Sequence, residues 1–237
     1  MLIDNVSDIL NRMTRAALLA GRNPVDVKLL AVTKKVGVKA IEEALHTGIR
    51  IFGENRVQEA KEKIGHFRVP GEDLLLDNPG GVQWHLIGNL QKNKAKYAVH
   101  LFDLIHTLDS VELAEELRRQ AIKIGKVQRV LVQVKLSGDD TRPGVPEKGM
   151  IPLLKEISGM SNMQPEGLMT MPPFFEDPEQ TRPYFRKLRE LRDHLEEAGY
   201  LLPELSMGMS HDFEIAIQEG ATMVRIGSAI FGERSKL

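Results

Sequence analysis

The chain has 237 residues, 42% hydrophobic and 27% charged, with a formal net charge of −1 and no cysteine. Near charge balance gives no electrostatic footprint for nucleic acid or an anionic membrane surface, and the lack of thiols excludes disulfides and thiolate chemistry. Met1 to Asn5 lacks the basic start and apolar core of a secretory leader, and no apolar run approaches the roughly 20 residues that span a bilayer, so a soluble cytoplasmic protein is expected.

Residues 2 to 20 carry helical periodicity, with Ile3, Val6, Ile9, Leu10, Met13, Ala17 and Leu18 on one face and Gly21 and Pro24 as the stop. Strand and helix then alternate. Lys28–Thr33 is a strand, 38–47 a helix, Ile49–Gly53 a strand and Asn55–Ile64 a helix. After a Pro- and Gly-edged loop from Gly71 to Gly81 come a strand at Val82–Ile87 and a helix at Leu90–Val99. Phe102–His106 is the fourth strand, and Ser110 caps the helix that runs to Lys123. Val127–Lys135 is the fifth, followed by a polar loop over Ser137–Pro146 and a helix near 147–158. Strands at Glu166–Met171, Glu204–Gly208 and Thr222–Ile226 flank helices at Pro178–Ala198 and Asp212–Gln218.

Eight strands alternating with helices need crossover connections, hence a parallel sheet. The count of eight favours closure into a single (β/α)8 TIM barrel spanning 1–237, with the first helix an addition outside it. Chemistry in such a barrel gathers at the C-terminal strand ends. There the sequence sets Lys34, Glu54-Asn55, His85, Gly88-Asn89, His106-Thr107, Lys135, Met169 to Met171, Ser206 to Ser210, and Arg225-Gly227-Ser228. The set is rich in cations, amides, hydroxyls and glycines, and Glu54 is its main carboxylate. No acid pair points to glycoside hydrolysis, and His85 and His106 lack the clustered acids of a metal site.

Four features carry the functional reading. Lys34 closes an apolar strand, as a Schiff-base lysine would, although alternation leaves open whether Lys34 or Lys35 points inward. Arg225 is a lone charge between Val224 and Ile226, and reads equally as a rim ion pair or as a cation for a bound ligand. Gly227-Ser228 after the last strand and Ser206 to Ser210 after the one before suit a phosphate, although Ser210 also suits a helix N-cap. The methionines Met169, Met171, Met207 and Met209, like Trp84, read as packing. A phosphate cradle and a strand-end amine together suggest a phosphate-bearing aldehyde.

Six motifs then occur in order: Leu30-Ala31-Val32-Thr33-Lys34, Phe52 to Glu59, Trp84 to Lys94, Gly167 to Met171, Leu205 to Phe213, and Val224 to Ser228. Together they resemble the pyridoxal phosphate homeostasis protein family across nearly the whole chain. The resemblance implies a barrel like the N-terminal domain of alanine racemase. It implies pyridoxal 5′-phosphate as a Schiff base on Lys34, its phosphate held by Ser210, Gly227 and Ser228, Arg225 facing the pyridine nitrogen, and Asn55 near the ring. It also implies a carrier or regulator of the cofactor without established catalysis, with pyridoxal-phosphate-dependent apo-enzymes as possible partners. No metal, nucleic acid or membrane enters this reading, and a monomer is expected because no exposed apolar stripe stands out.

The alternative is an amino-acid racemase on the same barrel. It needs an acid/base group on each substrate face, and His85 is the only candidate beside Lys34, since Tyr97, Tyr184 and Tyr200 fall in or beside helices. A Schiff-base aldolase acting on sugar phosphates would use the same lysine and phosphate site.

Overall fold

The computed structural model of the chain describes residues 1–67, 81–136 and 143–232. Its strands are β1 (Lys28–Val32), β2 (Ile51–Glu54), β3 (Gln83–Leu86), β4 (Leu104–Leu108), β5 (Gln128–Lys135), β6 (Val145–Pro146), β7 (Met163–Met169), β8 (Glu204–Met209) and β9 (Met223–Ile226). All pairings are parallel, in the order β4-β3-β2-β1-β9-β8-β7-β5, and β4 also pairs with β5. That last pairing closes eight strands into the expected barrel, which leaves no edge within the ring. The two-residue β6 sits beside the C-terminal end of β5. It falls in the segment read as loop, and Pro146 is tolerated there because an edge strand need not donate its N–H.

Side-chain alternation sorts the apolar residues into two cores. Leu30, Ile87, Leu104, Leu131, Met169 and Met223 fill the barrel interior. Ala31, Phe52, Trp84, Ile105, Val132, Leu168, Leu205 and Val224 face outward and pack under the helices. Trp84 stacks against Phe52 and Phe67 at ring distances of 5.3 and 5.9 Å, which bears out its packing role. The additional first helix, α1 (Leu2–Leu19), buries Val6, Ile9, Met13, Ala16 and Ala17. It lies against α8 (Phe213–Gln218) and α9 (Ser228–Phe231), where Arg12 bonds Glu214 at 2.9 Å and Asn5 donates to the Ile230 carbonyl at 3.0 Å.

Several boundaries differ from the sequence reading for identifiable reasons. β7 begins three residues early because Pro165, which reads as a break, sits where the register with β5 shifts between Val130 and Leu131. It ends at Met169, just short of Pro172-Pro173. β4 lies two residues later than expected, and its pairing with β5 shifts register between Ile105 and Leu108. The helices read at 90–99, 147–158 and 178–198 each open with a tight 3-10 turn, at Lys92–Lys94, Glu147–Gly149 and Pro178–Thr181. Ser110 caps α5 (Val111–Lys123) through the Leu113 N–H, as expected. The loop from Gly71 and most of the one from Ser137 lie outside the described residues.

Candidate functional site

The C-terminal strand ends open into a cavity of about 780 Å³. Its lining includes Lys34, Asn55, Ser210, Arg225, Gly227 and Ser228, all six residues singled out from the sequence. Leu30 and Val32 belong to the interior core, so the next residue on that face, Lys34, projects into the cavity. The half-buried Lys34 is followed by an exposed Lys35 with a left-handed φ of 58°. The Val36 N–H returns to the Thr33 carbonyl at 2.9 Å, so both lysines occupy the bend of one tight turn. The side-chain period, left open by the sequence, therefore resolves in favour of Lys34.

Arg225 is 3% exposed, on β9. Its Nη1 donates to Ser206 Oγ at 2.7 Å and its Nη2 to the Thr170 carbonyl at 2.9 Å. Neither acceptor is a carboxylate, so the rim ion pair is not what holds it. Burial pushes its pKa down to about 10, and Asp212 opposes that shift. The guanidinium thus remains a cation at neutral pH, clamped from behind, with further N–H groups available to the cavity.

Behind Arg225 runs a buried polar chain. His106 Nδ1 lies 2.9 Å from Ser206 Oγ, His106 Nε2 lies 3.0 Å from His85 Nδ1, and His85 Nε2 lies 3.3 Å from Gln83 Oε1. Burial pushes His85 down to about 3, and burial beside His85 and Arg225 holds His106 well below the ordinary imidazole range. Two neutral imidazoles then admit one consistent assignment. Arg225 donates to Ser206, Ser206 to His106, His106 to His85, and His85 to Gln83. The sequence placed His85 and His106 at the cavity rim. The structure places them inside the barrel below it, because both alternate inward with the core residues, and His85 is not a base at the mouth.

Ser210 follows β8, whose end makes a turn at Gly208, φ 89°. A Cβ at Gly208 would lie 2.5 Å from Ala216 Cβ and 3.0 Å from Phe213 Cα, so only glycine seats α8 this close. Ser210 is not the N-cap of α8. Asp212 takes that position, with Oδ1 accepting the Met209 N–H at 2.7 Å. Ser210 Oγ instead faces β9, where the N–H groups of Gly227 and Ala229 converge on it at 3.3 and 3.4 Å. Hydroxyl and amide donors from two adjacent strand ends therefore meet at one side of the cavity, a nest suited to an anion.

Three further residues depart from their sequence reading. Met171 and Met209, read as packing, are 36% and 38% exposed and line the cavity. Glu54, taken as the site's main carboxylate, faces outward and is fully buried against Lys63 and Thr33. Sequence reasoning gave Ser206 no role beyond its turn and did not see Lys63 at all. Alternation from Arg225's neighbouring strand could have found Ser206, but Lys63 sits on α3 (Val57–Phe67) with nothing in its spacing to mark it. Among the described residues no group of three or more His, Cys, Asp or Glu could hold a metal, and no helix is long and apolar enough to cross a membrane.

The profile of the alanine racemase N-terminal domain family matches residues 6–235. The pyridoxal phosphate homeostasis protein of Aquifex aeolicus is 46% identical over 98% of this chain and 97% of that protein. Its counterpart in Escherichia coli (strain K12) is 35% identical over 97% and 95%. Among solved structures, PipY of Synechococcus elongatus with PLP bound superposes with a TM-score of 0.82 at 37% identity, covering 98% of this chain and all of that one. An alanine racemase of Clostridium difficile reaches a TM-score of 0.70 at 18% identity, covering 98% of this chain and 58% of that one, a likeness of fold.

Proposed function

This chain belongs to the pyridoxal phosphate homeostasis protein family, and we propose that it binds pyridoxal 5′-phosphate covalently through Lys34 and buffers or delivers it. The observation that carries this reading is that an amine, an anion nest and a buried guanidinium face one cavity. The residues fit the cofactor group by group. Lys34 Nζ suits the aldehyde carbon, forming a C=N bond as water leaves. Ser210 Oγ, Ser228 Oγ and the amides of Gly227 and Ala229 suit the phosphate. Arg225 suits the pyridine nitrogen, and Asn55, in the same lining, would flank the ring. Bound pyridoxal phosphate supplies an electron-withdrawing carbonyl that condenses reversibly with amines.

The chain's own groups favour holding over turnover. Arg225 donates a hydrogen bond but keeps its proton, and the neutral imidazoles behind it direct their N–H groups away from the cavity. Among the described lining residues the imidazole is His211, which sits exposed at the rim. It donates from Nε2 to the Glu176 carbonyl at 3.1 Å and stacks on Phe174. Tyr97 and Tyr184 lie on outer helices, Tyr200 just past one, and none lines the cavity. In this reading the protein acts as a cytoplasmic monomer that passes the cofactor to apo-enzymes.

The test is the absorbance spectrum of the protein incubated with pyridoxal phosphate, beside Lys34→Ala and Lys35→Ala, followed by borohydride reduction and peptide mapping. A yellow protein with its adduct on Lys34, lost only in Lys34→Ala, supports the reading. A protein that takes up no pyridoxal phosphate overturns it, and sensitive racemisation assays showing Lys34-dependent turnover would replace the carrier role with catalysis.

A further inference from the structure

The turn that carries Lys34 is held from outside the barrel by residues that never reach the cavity. Lys63 Nζ, on α3, donates to the Thr33 carbonyl at 2.5 Å, to Glu54 Oε1 at 2.7 Å and to Glu59 Oε1 at 2.6 Å. Thr33 Oγ1 donates to the same Glu54 oxygen at 2.6 Å. Glu59 also accepts the backbone N–H of Lys35. The peptide groups on either side of Lys34 are thus tied to one ammonium and one carboxylate.

We propose that Lys63, with Glu59, is a positioning device for Lys34, selecting which of two adjacent lysines presents its amine to the cavity. Three observations carry this beyond a stabilising ion pair. The residue Lys63 is only 7% exposed, and a desolvated ammonium with three acceptors fixes geometry more strongly than a surface charge would. Lys35 holds a left-handed φ of 58°, a conformation that costs a side-chain-bearing residue free energy and persists only where the surroundings impose it. The N–H of that residue is bound by Glu59, a carboxylate that Lys63 holds in place, within the turn closed from Val36 to Thr33. Released from that bond, the turn can relax toward ordinary φ, which rotates the Lys34–Lys35 pair and brings the second amine toward the mouth.

The inference rests on the reading that Lys34 carries pyridoxal phosphate. The experiment loads the wild-type chain, Lys63→Met and Glu59→Ala with pyridoxal phosphate, then measures adduct hydrolysis, borohydride-trapped lysine positions by peptide mapping, and thermal unfolding. Wild type should trap on Lys34 alone. Folded Lys63→Met should lose the adduct faster by on the order of tenfold and trap a measurable fraction on Lys35, a change of partition that lost stability alone does not produce. Glu59→Ala removes a side chain that is partly exposed, so it tests the same point if Lys63→Met does not fold. Lys34-only trapping with unchanged hydrolysis in whichever variant folds overturns the positioning role. A wild-type chain that traps no pyridoxal phosphate overturns the cofactor reading itself, and this inference with it.

Discussion

Arg225 and Ser206 project into the barrel from adjacent strands and share one hydrogen bond of 2.7 Å, with the guanidinium donating to the hydroxyl and the hydroxyl donating in turn to His106. The serine is thus the joint between the cation at the cavity and the imidazole pair beneath. Ser206→Ala would leave one N–H of a buried cation and one imidazole nitrogen unpaired. Each orphaned group costs about 1–3 kcal/mol, so urea denaturation should show a loss of roughly 2–6 kcal/mol. A loss within experimental error would mean that the chain of bonds is not made.

The imidazole pair sets a pH dependence. Unfolded, both histidines titrate near 6.5, whereas in the fold His85 is pushed down to about 3 and His106 also lies far below its ordinary value. Between those limits the unfolded chain binds more protons, so stability rises with pH. The contribution is therefore complete above about 6.5 and is lost as pH falls from there toward 3, at up to about 1.4 kcal/mol per pH unit for each histidine. Unfolding free energies at a series of pH values from 7.5 to 4.5 check this. A flat profile would contradict two buried neutral imidazoles.

The serine and amide nest predicts a phosphate-specific defect. Ser210→Ala and Ser228→Ala should each weaken pyridoxal phosphate binding by about tenfold or more, the worth of one hydrogen bond to a charged group. Their affinity for pyridoxal, which lacks the phosphate, should stay at the wild-type level. Spectrophotometric titration with both ligands separates the cases, and equal losses for the two would place the serines elsewhere than at the phosphate.

Gly208 couples that nest to the barrel wall. Alanine there meets both an unfavourable φ of 89° and a contact 2.5 Å from Ala216 Cβ. Such overlap plus left-handed strain should cost on the order of 2–4 kcal/mol, read as a lower thermal midpoint, and should move α8 and Ser210 with it. Wild-type stability and affinity in Gly208→Ala would mean that the turn has room for a Cβ and that α8 is not seated by this glycine.

The alternation of strand and helix was legible because period-2 and period-3.6 patterns are imposed locally, and eight repeats suffice to suggest closure. Strand ends were less legible, as at Pro165, where a register shift accommodates a residue that ordinarily breaks a strand. Five of the six site residues could be picked out because each breaks a pattern: Lys34 ends an apolar run, Arg225 interrupts one, and Ser210, Gly227 and Ser228 are small residues at turns; the role of Asn55 came from the family resemblance alone. What supports them was hidden. His106, Ser206 and Lys63 act through partners distant in sequence, and no local period records that His106 and Ser206, 100 positions apart, share a hydrogen bond.

The pairing of β1 with β9, Leu30 opposite Arg225, is the seam where the ring's first strand meets its last. Lys34 leaves one side of that seam, and Gly227 and Ser228 leave the other. A molecule anchored at both works as a clasp across the joint. Its binding free energy adds directly to that of closing the ring, so loading with ligand and resistance to unzipping at that joint should rise and fall together.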